Sequence, residues 1–252
     1  MSKELLIKIA RCKNVQKYVG GKGMQNNPCE NIVEYQEKTK IISDKKDFQL
    51  PEPWRGDIKN AKILFVGSNP SISKVAKGYP LHSSTDKEIE DHFTDCFDNI
   101  DEGIYLPGNF YKNGNRKPVK YWEGVKERAC ELLDKEKEKV KAGKDYALTE
   151  VVHCKSKGGA YVEQVMEECG RRYLDEILEV SGARVVVCSG AKAKKIIGNF
   201  LELKREERNW VEPIKRLGRW FIFLKHLSYR YEDSTFKRLK KEKFNELRNA
   251  LK

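Results

Sequence analysis

The sequence has no apolar run close to the roughly 18 residues that a membrane-spanning helix needs. Its first residues, MSKELLIKIARCK, are amphipathic and lack the apolar core and cleavage site of a signal peptide. Internal repeats and low-complexity tracts are absent as well. We therefore expect a cytoplasmic protein without a membrane partner.

Two nucleotide-binding signatures are also missing, namely the Walker pattern and the glycine-rich dinucleotide fingerprint. A phosphate-wrapping loop is therefore a poor match for KILFVGSNPSIS, in which a predicted strand runs straight into a Gly-Ser-Asn-Pro-Ser turn. Gly67 allows close approach of a ligand, Pro70 stiffens the exit, and Asn69 offers one acceptor and two donors. An Asx-turn that caps the next segment explains this turn, taken alone, more simply.

What the sequence does contain is an excess of positive charge. Lys and Arg outnumber Asp and Glu by 50 to 38, which gives a net charge of +12. Such an excess favours a polyanionic partner, most commonly nucleic acid. A protein from a cell with a lysine-rich proteome explains the charge equally well. Hydrophobic residues make up 39% of the chain, so a sizeable core can form.

Short apolar runs alternate with longer amphipathic ones along the chain. Strands are predicted at 62–66, 146–152, 183–190 and 219–228, and helices at 121–133, 161–180, 191–201 and from about Ser234. This alternation implies right-handed crossovers with helices on both faces of a parallel sheet. We predict an α/β fold, a three-layer α/β/α sandwich with a central four-stranded parallel sheet.

We divide the chain into two parts. Residues 1–60 form a lysine-rich N-terminal extension with one short helix, which packs on the core, and residues 61–252 form the main domain. An insertion at about 82–118 interrupts the first crossover. The first half of the insertion is acidic, whereas the second half mixes aromatic and basic residues.

Ligands of parallel sheets bind beyond the carboxyl ends of the strands. Three polar groups follow predicted strands at such ends: residues 67–71, Glu150 with Val151, and residues 226–228. The last group, within KHLSYR, places His226, Ser228 and Arg230 beside the 67–71 turn if the two strands share a sheet. A lone histidine is usually structural, but one paired with a strand-end asparagine on a basic rim suits a site that handles a nucleotide.

At these positions the sequence resembles a known family. VGSNPS resembles the first motif of the uracil-DNA glycosylase superfamily, and HLS resembles its second motif, which is usually His-Pro-Ser. The middle region, LTEVVHCKSKGG followed by CGRRYLDEILEVSGARVVVCSGAKA, is similar to the iron–sulfur branch, families four and five. The resemblance spans about residues 61–230, and the order, placement and spacing of the motifs make it specific.

The resemblance implies a DNA glycosylase, which flips a damaged or modified base out of DNA and hydrolyses its N-glycosidic bond to leave an abasic site. It assigns Asn69 to holding the water that attacks the sugar, and His226 to hydrogen-bonding the departing base. It implies a monomeric enzyme that acts on DNA in base excision repair or in defence against modified foreign DNA.

The resemblance assigns base recognition to Gly67, Ser68, Tyr79, Leu81 and Glu150. Leu81 replaces an aromatic residue that stacks on uracil in many relatives, and Glu150 replaces an asparagine that reads uracil. An ionised carboxylate only accepts, so Glu150 suits an exocyclic amine such as cytosine N4 better than uracil O4. We therefore expect weak activity on uracil and a better substrate among modified cytosines. A Glu150 that points into solvent or pairs with a lysine would leave uracil as the substrate.

A flipped nucleotide also needs contacts that hold it, because leaving the helix stack costs a few kcal/mol. Ser71, Ser228 and Arg230 are the expected phosphate contacts, and Tyr229 or Leu227 could fill the vacated space. Loop arginines and tyrosines are also commonly exposed without any such role.

Seven cysteines in a reducing compartment are more often thiols or metal ligands than disulfides. The iron–sulfur branch holds a structural [4Fe–4S] cluster with four cysteines, and the resemblance assigns these positions to Cys12, Cys29, Cys154 and Cys169. Cys154 and Cys169 bracket the middle helix, but Cys29 lies further from Cys12 than the family's second ligand does. Four unrelated thiols are the alternative. The remaining cysteines are expected in core or surface positions: Cys96, Cys130 and Cys188.

Two other classes of protein compete with a glycosylase. A non-catalytic nucleic-acid-binding domain could keep the fold and the charge, but it would need neither Asn69 nor His226. A nucleotide-processing enzyme that acts on small molecules is less consistent with the net charge of +12 and with the basic stretch FKRLKKEKF.

Overall fold

A computed structural model describes residues 2–72, 78–95, 97, 103–229 and 231–252. Within these residues the α-helices α1 to α8 span, in order, Ser2–Ala10, Lys13–Val19, Glu30–Lys38, Asp86–Thr94, Lys120–Leu133, Val162–Val180, Ala191–Phe200 and Lys241–Ala250. The strands β1 to β8 span Trp54–Arg55, Ile63–Gly67, Tyr105–Phe110, Arg116–Pro118, Tyr146–Glu150, Val185–Ser189, Ile214–Arg216 and Arg219–Leu224.

The main sheet has six strands in the order β1-β5-β2-β6-β8-β7. Its four central strands, β5, β2, β6 and β8, are parallel, whereas β1 and β7 pair antiparallel at the two edges. The predicted α/β fold and its four-stranded parallel centre are therefore confirmed, but the sheet as a whole is mixed. The edge strands carry weak signals, because β1 has only two residues and β7, Ile-Lys-Arg, is charged.

Helices cover both faces of the sheet, as the uninterrupted apolar strands require. On β2, Leu64 and Val66 pack into one core with α1, α3, α6 and α7, whereas Ile63 and Phe65 pack into a second core with α5 and α8. All five residues of β2 are buried. The period of two along a strand thus separates two cores, and the three-layer arrangement is confirmed.

The N-terminal region contains more structure than its sequence predicts. It holds three α-helices instead of one, and it also supplies the edge strand β1. Leu5 and Ile9 of α1 are buried in the same core as Val66. Propensity underestimates these helices because short helices are stabilised mainly by packing of their apolar face. The division of the chain at residue 60 stays a prediction.

The C-terminal helix was predicted to start at about Ser234, but α8 begins at Lys241. Ser234 instead ends a short 3-10 turn, and its buried hydroxyl lies 2.7 Å from Tyr229 O and 2.6 Å from Tyr231 O, between which its one proton is shared. The guanidinium of Arg128 donates to the Ser234 carbonyl at 3.0 Å. These contacts hold the segment between β8 and α8 in a path that is not α-helical and that includes the short 3-10 helix Glu232–Ser234.

Three further predictions concern the insertion, the spare cysteines and the membrane. The insertion contributes α4 and the separate two-stranded sheet β3–β4. Cys188 lies in the core and Cys130 is half-buried, whereas Cys96 lies outside the described residues. Among the described residues, no helix has both the length and the apolar character needed to cross a bilayer.

Candidate active site

The candidate active site lies at the edge of the sheet where β2, β5 and β8 end. The three strands run in the same direction, and Gly67 is in register with Glu150. Beyond the strands, three amides of the segment after β5 donate to three carbonyls of the first-motif turn: Val151 to Gly67 (3.0 Å), Val152 to Ser68 (3.0 Å) and Ser156 to Pro70 (3.2 Å). This ladder holds the turn in a fixed position.

Asn69 directs the oxygen of its amide toward the site. Its Nδ2 donates to Pro70 O at 3.0 Å, to Ser156 Oγ at 3.1 Å and to Ser156 O at 3.3 Å. Two of these partners are main-chain carbonyls, which only accept, so the amide cannot be reversed. Ser68 Oγ lies 3.3 Å from Asn69 Oδ1, and the side chain is half-buried. Oδ1 is therefore an oriented acceptor within reach of solvent.

His226 is a neutral donor by its own local geometry. The amide of Ser228 donates to His226 Nδ1 at 3.3 Å, so in the neutral ring the proton resides on Nε2. Burial lowers the pKa of His226 below 6.5, which favours the neutral ring at physiological pH. The turn that follows β8 thus selects the tautomer whose Nε2–H can donate to a ligand.

Aromatic rings and close backbone packing hold His226 in place. The centres of the Tyr121 and His226 rings are 5.3 Å apart, and the Tyr229 ring meets His226 at 5.7 Å. Helix α5, which carries Tyr121, approaches this turn through Gly124, where a Cβ would collide with the carbonyl oxygen of Leu227. The absence of a side chain at Gly124 therefore lets α5 support the turn directly.

Glu150 and Tyr121 both lie over Gly67. A Cβ at Gly67 would overlap Glu150 Oε2 and would lie 2.9 Å from Tyr121 Oη. Glu150 Oε2 is buried and has no hydrogen-bond partner among the described residues. Burial, and then the nearby negative charge of Glu52, raise the pKa of Glu150 well above 4.5. The environment thus favours the protonated acid, contrary to the ionised carboxylate assumed from the sequence.

Tyr79 and Leu81 lie in the packing near the N-terminal region. The Tyr79 hydroxyl donates to Leu50 O at 3.1 Å and lies 3.3 Å from Glu52 Oε2, while Lys155 Nζ lies 3.4 Å from the centre of its ring. Leu81 is half-buried and forms an isolated β-bridge with Gln49. Their assigned roles in base recognition stay predictions.

The expected DNA contacts differ in exposure. Ser71 is exposed, Ser228 is half-buried and Tyr229 is 58% exposed. Leu227 is only 5% exposed, and its amide lies 3.3 Å from Ser189 Oγ. Tyr229, not Leu227, is therefore the side chain at the surface that could fill a vacated stack. Arg230 lies outside the described residues, and the DNA-binding roles stay predictions.

Three residues that the sequence analysis did not assign also contact this site. In the sequence, Tyr121 is an ordinary apolar position of α5 and Ser156 is a loop residue. In the structure, Tyr121 packs beside His226, and Ser156 orients the amide of Asn69. Lys192 Nζ, which pairs with Glu163 at 3.5 Å, and Asn69 Oδ1 both lie within 4 Å of the place where a Cβ on Gly159 would be. The only sequence signal for Lys192 is its place just after β6, at the same edge of the sheet.

The four cysteines of the expected cluster belong to four segments that meet. Cys12 lies between α1 and α2, Cys29 precedes α3, Cys154 follows β5, and Cys169 lies within α6 instead of flanking it. Burial raises the pKa of Cys154 well above 9.0, and the charges of the other three thiols act on it in the same direction. Cys12 and Cys29 are buried in one hydrophobic core, and Cys154 and Cys169 pack against that same core. They are all free thiols.

One positive charge lies beside the four thiols. Arg172 Nη1 lies 3.7 Å from Cys12 Sγ. Burial raises the pKa of Cys29, Cys154 and Cys169, and the charge of Arg172 opposes that rise. In the described part of the chain, no group of three His, Cys, Asp or Glu side chains is placed to hold a single metal ion. A four-iron cluster separates its cysteine ligands more widely than one ion does, and four thiolates are its usual ligand set. The donor set is thus compatible with a [4Fe–4S] cluster.

A comparison of the sequence with models of known protein families agrees with the fold described above. The model of the family described as the uracil DNA glycosylase superfamily matches residues 53–252, a span that holds all six strands of the main sheet. A search of curated proteins gives no match. The superfamily resemblance in the sequence is confirmed, while the assignment to the iron–sulfur branch stays a prediction. Because the matched span covers well over half of the sequence, the chain belongs to the uracil DNA glycosylase superfamily.

Proposed function

We propose that this protein is a monofunctional DNA glycosylase, which flips a base out of DNA and hydrolyses its N-glycosidic bond to leave an abasic site. The observation that carries the proposal is the pairing of an oriented acceptor, Asn69 Oδ1, with a neutral donor, His226 Nε2–H, at one edge of the sheet. A domain that only binds DNA needs neither a fixed direction of the Asn69 amide nor a particular tautomer of His226.

The chemistry divides between these two groups. As the bond breaks, the sugar becomes oxocarbenium-like and negative charge collects on the leaving base. The C1′–N bond breaks and its electron pair leaves with the base, to which His226 Nε2–H donates. Asn69 Oδ1 accepts from the water whose oxygen then bonds to C1′, and the proton that this water loses neutralises the departing base. Asn69 need not be a strong base, because the cation reacts with a water that is only positioned. A single donor to a developing charge typically contributes about 10²–10³ in rate.

The test is a panel of oligonucleotides, each with one candidate base, scored for alkali-labile abasic sites. We expect Asn69→Ala and His226→Ala to reduce excision about 10²–10³-fold while DNA binding stays within about twofold of the wild type. Asn209→Ala, at an exposed position whose amide donates to Glu206 O, is the matched control and should leave excision unchanged. Parallel loss of binding and excision in the two site variants would instead indicate a structural role.

We propose a pyrimidine as the excised base, read by Glu150. A protonated acid has one donor and one acceptor, so it can pair with uracil O4 and N3–H or, turned over, with cytosine N3 and N4–H. The preference for a modified cytosine over uracil now rests on the smaller Leu81 and not on an acceptor-only Glu150. The same oligonucleotide panel distinguishes uracil from modified cytosines directly.

We propose that Cys12, Cys29, Cys154 and Cys169 hold a structural [4Fe–4S] cluster, which would tie the N-terminal helices to α6 and to the segment after β5. Protein purified without oxygen should then be brown and contain about four irons per chain. Cys154→Ala should lose both properties, whereas Cys130→Ala should keep them. A colourless, iron-free anaerobic preparation would refute the cluster and leave the glycosylase proposal intact.

We place this activity in the cytoplasm, where cysteines remain reduced. There it would serve base excision repair or defence against modified foreign DNA. Whether the protein acts as a monomer would follow from its mass in solution.

A further inference from the structure

Two exposed tyrosines stand beside the candidate active site. Among the described residues five large hydrophobic side chains are exposed, and two of them, Tyr229 and Tyr231, follow β8 on the same segment as His226. Tyr229 is 58% exposed and Tyr231 is 55% exposed. Single exposed hydrophobic side chains are normal, whereas adjacent ones beside a site are typical of binding surfaces. The pair therefore indicates a partner that extends beyond the site itself.

The two rings continue a row of aromatic rings that starts inside the site. The centres of the Tyr121 and His226 rings are 5.3 Å apart, and those of the His226 and Tyr229 rings are 5.7 Å apart. The centres of the Tyr229 and Tyr231 rings are 5.6 Å apart, and their planes are tilted by 33°. These separations lie in the range of aromatic ring pairs. The row thus leads from the proposed catalytic histidine to the protein surface.

The backbone holds both tyrosines in fixed positions. The buried hydroxyl of Ser234 lies between the two tyrosine carbonyls, 2.7 Å from Tyr229 O and 2.6 Å from Tyr231 O. The amide of Lys225 donates to Asp233 O at 2.7 Å, which closes the segment against the end of β8. A surface that is ordered before its ligand arrives loses little conformational entropy on binding.

What the pair offers to a partner is the faces of its rings. Lys225 and Asp233, which flank the pair, bind each other at 2.9 Å, and Asp233 also binds Arg238 at 2.5 Å. The ammonium of Lys225 lies 5.6 Å from the centre of the Tyr231 ring. Nucleobases stack on such rings regardless of their sequence, because every base has a π-face.

We propose that Tyr229 and Tyr231 form a stacking platform for unpaired bases of single-stranded DNA next to the flipped nucleotide. The inference rests on the proposed function only in taking DNA as the substrate. In a duplex, neighbouring bases cover both faces of each base, so a row of two rings could enter only by unstacking further base steps, which costs free energy. A single strand exposes its base faces at a lower cost. The choice of the excised base stays with the site.

The test measures binding of a labelled, undamaged oligonucleotide as a single strand and as a duplex, and so requires no excision. Tyr231→Leu keeps an apolar side chain but removes the ring, so it should weaken single-strand binding about tenfold while duplex binding changes less than about twofold. Tyr231→Phe keeps the ring and should bind both forms as the wild type does. Because neither substitution removes a charge, the slope of log K against log salt should stay the same in both variants.

Leu217→Ala is the matched control, because Leu217 is 64% exposed in the turn before β8, at the opposite edge of the sheet. It should bind both forms of DNA as the wild type does. A 2-aminopurine next to the target position reports stacking directly, since its fluorescence is quenched when it stacks. In the complex it should fluoresce less with the wild type and with Tyr231→Phe than with Tyr231→Leu.

Wild-type binding of single strands by Tyr231→Leu would overturn the proposal, as expected if the two rings instead cover an apolar protein surface. An equal loss of single-strand and duplex binding would overturn it too, because the platform would then not require free base faces. Thermal unfolding of the variants should match the wild type, since the substituted side chains are exposed. A chain that binds single strands through Tyr231 but excises no base would refute the glycosylase and leave the platform intact.

Discussion

At the scale of single residues, the site is defined by which atom of each side chain is left over after its internal bonds are made. Asn69 uses its Nδ2 inside the protein, and its Oδ1, which accepts only from Ser68 Oγ among the contacts described above, keeps a second lone pair; His226 uses its Nδ1 and leaves Nε2–H. Glu150 Oε2 is buried and finds no hydrogen-bond partner in the part of the chain that the structure describes. A buried polar atom without a partner costs free energy, so its presence beside Asn69 and His226 favours a ligand that would complete it.

Glu150 should lower the stability of the free protein at neutral and alkaline pH. Its pKa is raised in the folded state, so the folded protein holds a proton that the unfolded chain loses above about pH 4.5. The free energy of unfolding therefore falls as the pH rises from 4.5 toward the raised pKa. Glu150→Gln, which keeps a donor and an acceptor, should unfold at a higher temperature than the wild type, and increasingly so from about pH 5 to about pH 8.

The matched control is Glu179→Gln on the exposed face of α6, which should follow the wild-type curve at every pH. If the protonated acid reads the base, Glu150→Gln should also excise the preferred base at a rate close to that of the wild type. Parallel stability curves for Glu150→Gln and the wild type would contradict a protonated Glu150.

At the scale of elements, helix α5 connects the β3–β4 insertion to the turn that holds His226. It places Tyr121 against His226, and it contacts the 226–228 turn through Gly124. It also follows directly after the β3–β4 hairpin. The position of this one helix therefore links the insertion, the ring beside His226 and the turn that orients it.

Gly124→Ala should displace α5 from this turn. The added Cβ would collide with main-chain atoms of Leu227, which cannot rotate away as a side chain would. We expect a loss of about 1–3 kcal/mol in the free energy of unfolding, and a fall in excision that exceeds the fraction unfolded. Gly23→Ala, where a Cβ meets nothing within 4 Å, is the control and should leave both unchanged. Wild-type excision by Gly124→Ala would show that α5 does not position His226.

At the scale of the whole molecule, buried histidines make the free energy of unfolding decrease as the pH falls below neutral. His92, on α4, has a pKa lowered to about 4, first by burial and then by the charge of Arg55, and its Nε2 has no partner among the described residues. The unfolded chain takes up this proton near pH 6.5, whereas the folded chain does so near pH 4. Stability is therefore complete above about pH 6.5 and decreases as the pH falls toward 4.

His92→Gln should remove part of this dependence. Between about pH 6.5 and about pH 5 the wild type should lose about 2 kcal/mol more than the variant does, as measured by urea unfolding at each pH. Some dependence should remain, because burial also lowers the pKa of His153 to about 4. Curves of the same slope for the two proteins would mean that His92 is not excluded from water.

The sequence by itself determined the parallel centre of the sheet, because uninterrupted apolar runs such as ILFVG fit only strands covered on both faces. It also determined that the turns holding Asn69, Glu150 and His226 share one edge, since parallel strands have their carboxyl ends together. Local patterns decide such features. They do not reveal β1 and β7, whose short or charged segments form strands only by pairing with a neighbour.

The tertiary structure alone decided the states of the site residues. The raised pKa of Glu150 depends on burial, and the direction of the Asn69 amide depends on acceptors far away in the chain, those of Ser156. The tautomer of His226 depends on the turn after β8, whose Ser228 amide donates to Nδ1. It likewise brought Tyr121 and Lys192 to the site, and it placed Cys12 beside Cys154. Desolvation and long-range contacts have no signature in a local pattern, because both arise only when distant segments pack together.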